Sequence, residues 1–190
     1  MDTTPYGTSC ISKHVCSTTD SQAAKGNTMP YKKVEPVSQS DTKQVNELID
    51  ALNEDLAREY QAIIAYTVYS NVLSGAQWMN IAAELKLHAG EELQHAMILA
   101  DQIDYLGGMP TATPKPVKLS KKAEEMLRFD LDNETETILN YRRRVKQAEA
   151  LGHYALAEQL RQIISQEQNH QHDLATALGI EVPKVFQQGA

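Results

Sequence analysis

The sequence contains the motif Glu-x-x-His twice, and a lone glutamate precedes each copy at the same distance. The two copies are Glu92-Leu93-Gln94-His95 and Glu167-Gln168-Asn169-His170. Glu59 precedes Glu92 by 33 positions, and Glu134 precedes the second motif by the same 33 positions. Four carboxylates and two imidazoles in this order are typical of a site for two metal ions in the core of a four-helix bundle. The chain is therefore expected to fold as four helices that each supply a ligand.

Apolar residues recur every three or four positions over four segments, which predicts four long α-helices. We predict α1 over about 42–73, α2 over about 77–106, α3 from about 120 to 150 with Ser120 as its N-cap, and α4 over about 153–178. Each segment is followed by a glycine that can end a helix: Gly75, Gly107, Gly152 and Gly179. Short turns after α1 and after α3 predict two antiparallel hairpins.

The connection between α2 and α3 is long enough to cross the bundle from end to end. Residues 107–119 include Pro110, Pro114 and Pro116, which favour an extended path of ~3.1 Å per residue. Such a segment reaches ~40 Å, about one helix length. We therefore predict an all-α four-helix bundle with one long crossover connection and parallel α2 and α3. A surface loop without fixed structure is the alternative.

The six motif residues fall near the middle of their predicted helices, so folding is expected to bring them to one level. Glu59 lies 16 positions before Gly75, and Glu92 lies 17 positions after it. Glutamate and histidine at positions i and i+3 share one helix face. Carboxylates and imidazoles suit iron, and an iron pair can hold dioxygen or peroxide between its ions. The alternative, six unrelated polar residues on solvated faces, does not explain the repeated spacing.

Neighbouring residues on the same helices give weaker signals. Tyr66 lies two turns after Glu59, and we expect it to donate an electron or a hydrogen bond near the metals. A core tyrosine with a satisfied hydroxyl is an equal alternative. Glu84, His88 and Glu91 lie near the metal face of α2 and have two interpretations. In the first interpretation they guide iron toward the site. In the simpler one they are solvent-exposed charged residues that interact with one another along one face of the helix.

Charge and composition limit the partners and the location of the chain. Its 18 basic and 25 acidic residues give a net charge of −7, which argues against a whole-molecule surface for nucleic acid. Residues 1–40 show no helical periodicity, so we predict a flexible extension there. The bundle is predicted over 41–180, and a short tail over 181–190. Cys10 and Cys16 are expected to be free thiols of the extension rather than zinc ligands. No apolar run resembles a signal peptide or a membrane span, so we expect a cytoplasmic location.

At these motifs the chain resembles the bacterioferritin branch of the ferritin family over residues 44–180. Further segments that carry the resemblance are Leu52-Asn53, Glu92-Leu93-Gln94-His95-Ala96, Leu106-Gly107-Gly108-Met109-Pro110, Glu124-Glu125-Met126-Leu127-Arg128 and Asp130-Leu131. The resemblance implies a ferritin-like four-helix bundle that binds two iron ions per subunit. The ligands it implies are Glu59, Glu92, His95, Glu134, Glu167 and His170. It also implies that Tyr66 is the tyrosine that the family places beside the metals.

Three departures from the family pattern change what the resemblance implies. Bacterioferritins hold haem through a methionine directly after the α2 glutamate, and Leu93 occupies that position here, so haem is not expected. Only 20 residues follow His170, and they include Pro183, so we expect the short fifth helix to be missing or reduced. The third departure is the N-terminal extension. Together these features are similar to Dps-like mini-ferritins with 12-subunit shells; we favour a 12-subunit shell and keep a 24-subunit shell as the alternative.

The resemblance implies a ferroxidase that oxidises Fe(II) with O2 or H2O2 and stores ferric mineral inside a homo-oligomeric shell, which protects against oxidative stress. One alternative is a di-metal peroxidase or catalase of the rubrerythrin or manganese-catalase type that stores no iron. Against rubrerythrin, the sequence has no Cys-x-x-Cys pair. The other alternative is a Dps-like shell that binds DNA through lysines of the extension: Lys13, Lys25, Lys32 and Lys33. The acidic bundle disfavours DNA binding.

Overall fold

The computed structural model describes residues 39–185, which form an all-α four-helix bundle with no strand in that range. The helices are α1 Gln39–Val72, α2 Met79–Tyr105, α3 Ala123–Ala150 and α4 Tyr154–Leu178. A single 3₁₀ turn, Ala76–Trp78, lies between α1 and α2. The predicted number, order and class of the helices are confirmed. None of these helices is long and apolar enough to cross a membrane.

Helix ends differ from the prediction by at most three residues, and the C-terminal ends of α3 and α4 match it. The first helix begins at Gln39, three residues earlier than predicted, and α3 begins at Ala123 rather than near Ser120. Ser120 is not the N-cap, because that position is Lys122, which has no side-chain cap. The Ser120 hydroxyl instead accepts a hydrogen bond from the Lys122 backbone N–H (3.0 Å) and donates one to the Glu125 carboxylate (2.7 Å). It thereby fixes the chain just before the first turn of α3.

The connection between α2 and α3 lies along α1 and follows its direction. Asn53 of α1 donates to the Met109 carbonyl (3.1 Å) and accepts from the Thr111 N–H (2.7 Å). Further along, the Gln61 side chain donates to the Pro116 carbonyl at 2.6 Å. These contacts carry the chain from one end of the bundle to the other, so α3 starts at the same end as α2. The predicted crossover is confirmed, and it is bonded to α1 rather than loose.

Two apolar clusters fill the bundle, one on each side of its middle. The first contains buried residues from the N-terminal half of α1 and its neighbours: Leu48, Leu52, Leu56, Leu99, Ile103, Leu160 and Ile163. The second lies toward the other end: Ala65, Tyr66, Tyr69, Leu85, Leu127, Leu131 and Leu174. The layer between them is polar. The two clusters supply the packing energy of the fold, and the middle layer is left for ionisable side chains.

Some predictions fall on residues outside the described range. The extension, with Cys10, Cys16 and the four lysines suggested as DNA contacts, lies outside it except for residues 39 and 40, which belong to α1. After α4, residues 180–185 form no helix. The domain boundaries at 40 and 180 therefore stay predictions.

Candidate metal centre

All six motif residues lie in the polar middle layer, and each is at most 3% exposed. Each of the four helices supplies at least one of them. They fall into two groups whose ligand atoms all lie within 4.8 Å of one another. The first group is Glu59, Glu92, His95 and Glu167, and the second is Glu92, Glu134, Glu167 and His170. Because Glu92 and Glu167 belong to both groups, the layer has the form of two adjacent sites joined by two bridging carboxylates.

Both imidazoles point the same ring nitrogen toward these carboxylates. The Nδ1 atom of His95 lies 3.0 Å from Glu167 Oε1 and 3.1 Å from Glu92 Oε2. The Nδ1 atom of His170 lies 2.9 Å from Glu92 Oε1 and 3.4 Å from Glu167 Oε2. Each imidazole therefore contacts both bridging glutamates through Nδ1. A cation held by this layer would take Nδ1 of each histidine as its nitrogen ligand.

The opposite nitrogen of each ring is fixed by a residue just before a bridging glutamate. His95 Nε2 lies 2.9 Å from the side-chain oxygen of Gln166, and His170 Nε2 lies 2.8 Å from a carboxylate oxygen of Glu91. An acceptor at Nε2 keeps the proton there and leaves the Nδ1 lone pair free for a metal. The sequence reasoning missed both partners in this role, although each directly precedes a motif.

Two buried tyrosines complete the layer. The Tyr66 hydroxyl donates to Glu134, and the Tyr141 hydroxyl donates to Glu59, so each tyrosine reaches the glutamate of the opposite helix. Burial raises the pKa of both phenols well above its usual range, which keeps the hydroxyls protonated as donors. Tyr66 was predicted beside the metal residues. Tyr141 was not, although it follows Glu134 by seven positions as Tyr66 follows Glu59.

The charge of the layer indicates that it is built for cations. Burial raises the pKa of Glu59 and Glu134 well above the usual range. Burial also opposes ionisation of Glu167, but the two histidine rings beside its carboxylate outweigh burial and lower its pKa. For His170, burial lowers the pKa, yet the two bridging carboxylates raise it to about 10. Positive charge is therefore drawn to the imidazoles by the surrounding carboxylates.

Several inward-facing atoms of the layer make no well-aligned hydrogen bond among residues 39–185, although some of them lie close to an oppositely charged group. They are Glu59 Oε2, Glu92 Oε1, both carboxylate oxygens of Glu167 and His170 Nδ1. A buried carboxylate without partners is costly in an apolar core, and paired or metal-bound charge removes that cost. These orphaned atoms belong to both groups of the layer. The residues present therefore fit a pair of divalent cations.

The two halves of the layer are related by a constant offset of 75 positions. Glu59 and Glu134 differ by 75, as do the two motifs, and so do Asp55 and Asp130 one turn earlier. The pairing of the aspartates breaks this symmetry. Each aspartate has one oxygen without a hydrogen-bond partner among the described residues. Asp55 nevertheless pairs with Arg144 at 2.7 Å, whereas Asp130, only 2% exposed, makes no ion pair in that part of the chain. Burial raises the pKa of Asp130 well above its usual range.

His88 lies closer to the layer than the simpler interpretation allowed. It is 4% exposed, and its ring stacks on that of His170 with centroids 4.0 Å apart. The interpretation of this residue as part of a solvated charge set is therefore wrong. Glu84 is exposed and Glu91 is half-buried, so both lie at the edge of the bundle rather than in its core. Leu93, at the position where haem was considered, has a side chain that is 48% exposed.

Comparison with known proteins agrees with this architecture. Residues 49–181 match the family described as the ferritin-like domain. Bacterioferritin of Streptomyces coelicolor is 28% identical over 135 residues, which cover 70% of this chain and 81% of that protein. Bacterioferritin of Desulfovibrio desulfuricans is 32% identical over 124 residues, which cover 65% of this chain and 69% of that protein.

Solved structures extend the similarity to three dimensions. A ferritin-like, diiron-carboxylate protein of Bacillus anthracis is 37% identical with a TM-score of 0.69, covering 75% of this chain and 99% of that one. The D. desulfuricans bacterioferritin, described with its diiron site in different catalytic states, has a TM-score of 0.68 at 27% identity and covers 75% and 84%. The dodecameric thioferritin of Bacteroides fragilis, a bacterioferritin-related protein, has a TM-score of 0.66 at 26% identity and covers 75% and 94%.

Proposed function

This chain belongs to the ferritin family, and from that premise we propose that it is a ferroxidase that oxidises Fe(II) and stores the ferric product in an oligomeric shell. Fe(II) is the substrate, held between the helices by the six residues of the middle layer. The observation that carries the proposal is the pair of overlapping ligand groups that share Glu92 and Glu167. Two irons held by ligand groups that share residues lie close enough to react together with one small oxidant.

The electron count requires two irons for each oxidant molecule. Two Fe(II) ions give up one electron each and become Fe(III). Hydrogen peroxide accepts these two electrons and two protons and becomes two water molecules; dioxygen accepts the same and becomes hydrogen peroxide. The carboxylates of the layer stabilise the higher charge of Fe(III). When a single Fe(II) meets H2O2, Tyr66, which donates a hydrogen bond to Glu134, supplies the second electron and becomes a tyrosyl radical by losing its hydroxyl proton. Ferric product then leaves the layer and is stored as mineral.

A 12-subunit shell is the assembly that we propose, with 24 subunits as the alternative. The similarity to a protein described as dodecameric supports the smaller number, and the described residues after α4 form no fifth helix. Twelve copies of the 21.2-kDa chain have a mass of about 254 kDa, and twenty-four have about twice that. A cytoplasmic location and the absence of haem remain part of the proposal.

DNA binding is not part of the proposal. Besides the lysines of the extension, the crossover and the start of α3 carry a small basic group, but most of its members contact the bundle itself. Lys115 pairs with Glu54, Lys122 pairs with Glu125, and Lys118 lies over the Phe129 ring. Such lysines offer little charge to a phosphate backbone.

The test is anaerobic loading with Fe(II), followed by mixing with O2 or H2O2, on assembled protein whose mass is measured by light scattering. We expect rapid oxidation of about two irons per chain, then mineral far beyond that amount. Glu92→Ala and His170→Ala should lose the fast phase, and Asp132→Ala, which removes an exposed acid of α3, should keep it. Turnover that stops at two irons, or a small oligomer, would instead favour a di-metal peroxidase or catalase.

A further inference from the structure

We propose that Glu84, His88 and Asp173 form a third metal site, through which a divalent cation passes between the surface and the di-metal layer. The three residues lie between α2 and α4, and their ligand atoms all lie within 4.8 Å of one another. Donor atoms that share one ion at bonds of ~2.1 Å lie up to ~4.2 Å apart, so small side-chain movements close the site. The transfer of iron through this third site rests on the proposed function, whereas the binding of a cation at the three residues does not.

His88 is the residue that distinguishes this cluster from a group of surface acids. It is 4% exposed, and its Nδ1 atom has no hydrogen-bond partner among the described residues. Its Nε2 atom lies 3.4 Å from Asp173 Oδ2. A buried imidazole with an orphaned nitrogen is costly unless a proton donor or a cation satisfies it. The imidazole also lines the cavity between the helices, where a cation has access to it.

The cavity itself suits a hydrated cation. Its volume is about 160 Å³, and its lining contains three carboxylates, those of Glu84, Glu91 and Asp173. No lysine or arginine is among its lining residues, which all belong to α2 and α4. Three acidic side chains in a lining that has no lysine or arginine attract cations and repel anions. By contrast, the cavity on the α1 and α3 side of the layer measures only about 10 Å³.

A continuous line of donors joins the cavity to the di-metal layer. The His88 ring stacks on His170, and Glu91, which forms a second donor group with these two histidines, accepts the hydrogen bond from His170 Nε2. A cation leaving the third site therefore meets Glu91 before it meets the layer. Along this path, each donor group is next to the following one. A moving cation therefore never has to cross an apolar region without a negatively charged or imidazole partner.

The cluster is not a by-product of the duplicated pattern. At an offset of 75 positions, Glu84 corresponds to Gln159, His88 to Ile163 and Asp173 to Ile98. The other end of the bundle thus has one amide and two aliphatic side chains where this end has three potential ligands. Only this end of the α2–α4 interface is equipped to bind a cation beside the layer.

The test is anaerobic titration of the full-chain protein with Co²⁺, followed by calorimetry and visible absorption. We expect three ions per chain for the wild type and two for the double variant Glu84→Gln/Asp173→Asn. The double variant Asp101→Asn/Asp104→Asn, which removes two exposed acids of α2, is the charge-matched control and should bind three. Glu134→Ala/Glu167→Ala should keep one ion, because it leaves the third site intact.

The possible outcomes separate this inference from the proposed function. If the wild type and Glu84→Gln/Asp173→Asn both bind two ions, the third site is wrong and the di-metal layer stands. If Glu134→Ala/Glu167→Ala binds as many ions as the wild type, the di-metal layer is wrong instead. For transfer, Glu84→Gln/Asp173→Asn should oxidise both its first two irons and later additions roughly tenfold more slowly than the wild type, and Asp101→Asn/Asp104→Asn should match the wild type. Equal rates for later additions would overturn the transfer role.

Discussion

The six residues of the middle layer are not equivalent, because two of them lie in both candidate ligand groups. Glu92 and Glu167 belong to both ligand groups, whereas Glu134 belongs only to the group of His170. Loss of a shared carboxylate removes a ligand from both ions and leaves their repulsion unscreened. Loss of a carboxylate at one end removes a ligand from one ion only.

This difference predicts the metal content of single variants. In a Co²⁺ titration, Glu134→Ala should lose one of the two ions bound by the layer, and Glu167→Ala should lose both. The third site proposed above is removed from both proteins by adding Glu84→Gln/Asp173→Asn, so that the count reports the layer alone. Equal losses in the two proteins would contradict the assignment of Glu167 as a bridge.

The two tyrosines offer a matched pair for a second prediction. Both are fully buried, and each donates to a glutamate of the layer, so Tyr66→Phe and Tyr141→Phe remove the same kind of bond. If Tyr66 supplies an electron, Tyr66→Phe should abolish a tyrosyl radical signal after oxidation, and Tyr141→Phe should keep it. Freeze-quenched electron paramagnetic resonance measures this signal. A signal that survives in Tyr66→Phe and vanishes in Tyr141→Phe would assign the role to the other tyrosine.

Residue types and spacings were enough to find the six residues of the middle layer, but not the residues that contact their far sides. The six residues follow from a repeat that is explicit in the sequence, and their positions near the middle of the helices bring them to one level. Gln166 and Glu91 act through contacts across α2 and α4, which depend on how each helix is rotated about its axis. Apolar periodicity fixes that rotation only to within a broad stripe. Tyr141 was open to prediction, since the 75-position offset relates it to Tyr66.

At the scale of elements, the crossover is held to α1 by specific side chains rather than by apolar packing alone. Asn53 satisfies two backbone groups of the crossover, at Met109 and Thr111. The sequence predicted the length and the path of this connection from its prolines. It did not predict the bonds to Asn53 and Gln61, because both have the helical spacing of ordinary surface residues of α1.

The Asn53 contacts predict a local loss of stability. Asn53→Leu should remove two hydrogen bonds to the crossover and lower the free energy of unfolding by about 1 kcal/mol, because water can partly replace Asn53 at these accessible groups. Asn46→Leu, at an exposed position of the same helix, is the control and should change the free energy of unfolding little. Thermal denaturation measures the loss, and limited proteolysis should show faster cleavage within the crossover. Unchanged cleavage and an unchanged midpoint would show that the prolines alone hold the segment.

At the scale of the whole molecule, the bundle is divided into two apolar clusters with a charged layer between them. The clusters contribute the burial that stabilises the fold, whereas the buried carboxyls of Glu59 and Glu134, whose pKa burial raises, oppose it at neutral pH. Arg144 neutralises Asp55 at one end of the layer, but Asp130 has no such partner. The metal-free molecule is therefore less stable than its apolar packing alone would make it, and a cation that binds the layer would raise its stability.

That linkage predicts opposite effects of one substitution with and without metal. Glu59→Gln keeps the acceptor for Tyr141 and removes a carboxyl whose pKa burial raises, so the metal-free variant should melt above the metal-free wild type. With Co²⁺ at about 100 times its dissociation constant, each bound ion adds about 2.7 kcal/mol to the wild type. The variant should gain less, so its melting temperature should then fall below that of the wild type. Asp132→Asn, at an exposed position of α3, should change neither temperature. A lower melting temperature for Glu59→Gln in both states would mean that this carboxyl stabilises the fold without metal, and that the layer does not depend on cations.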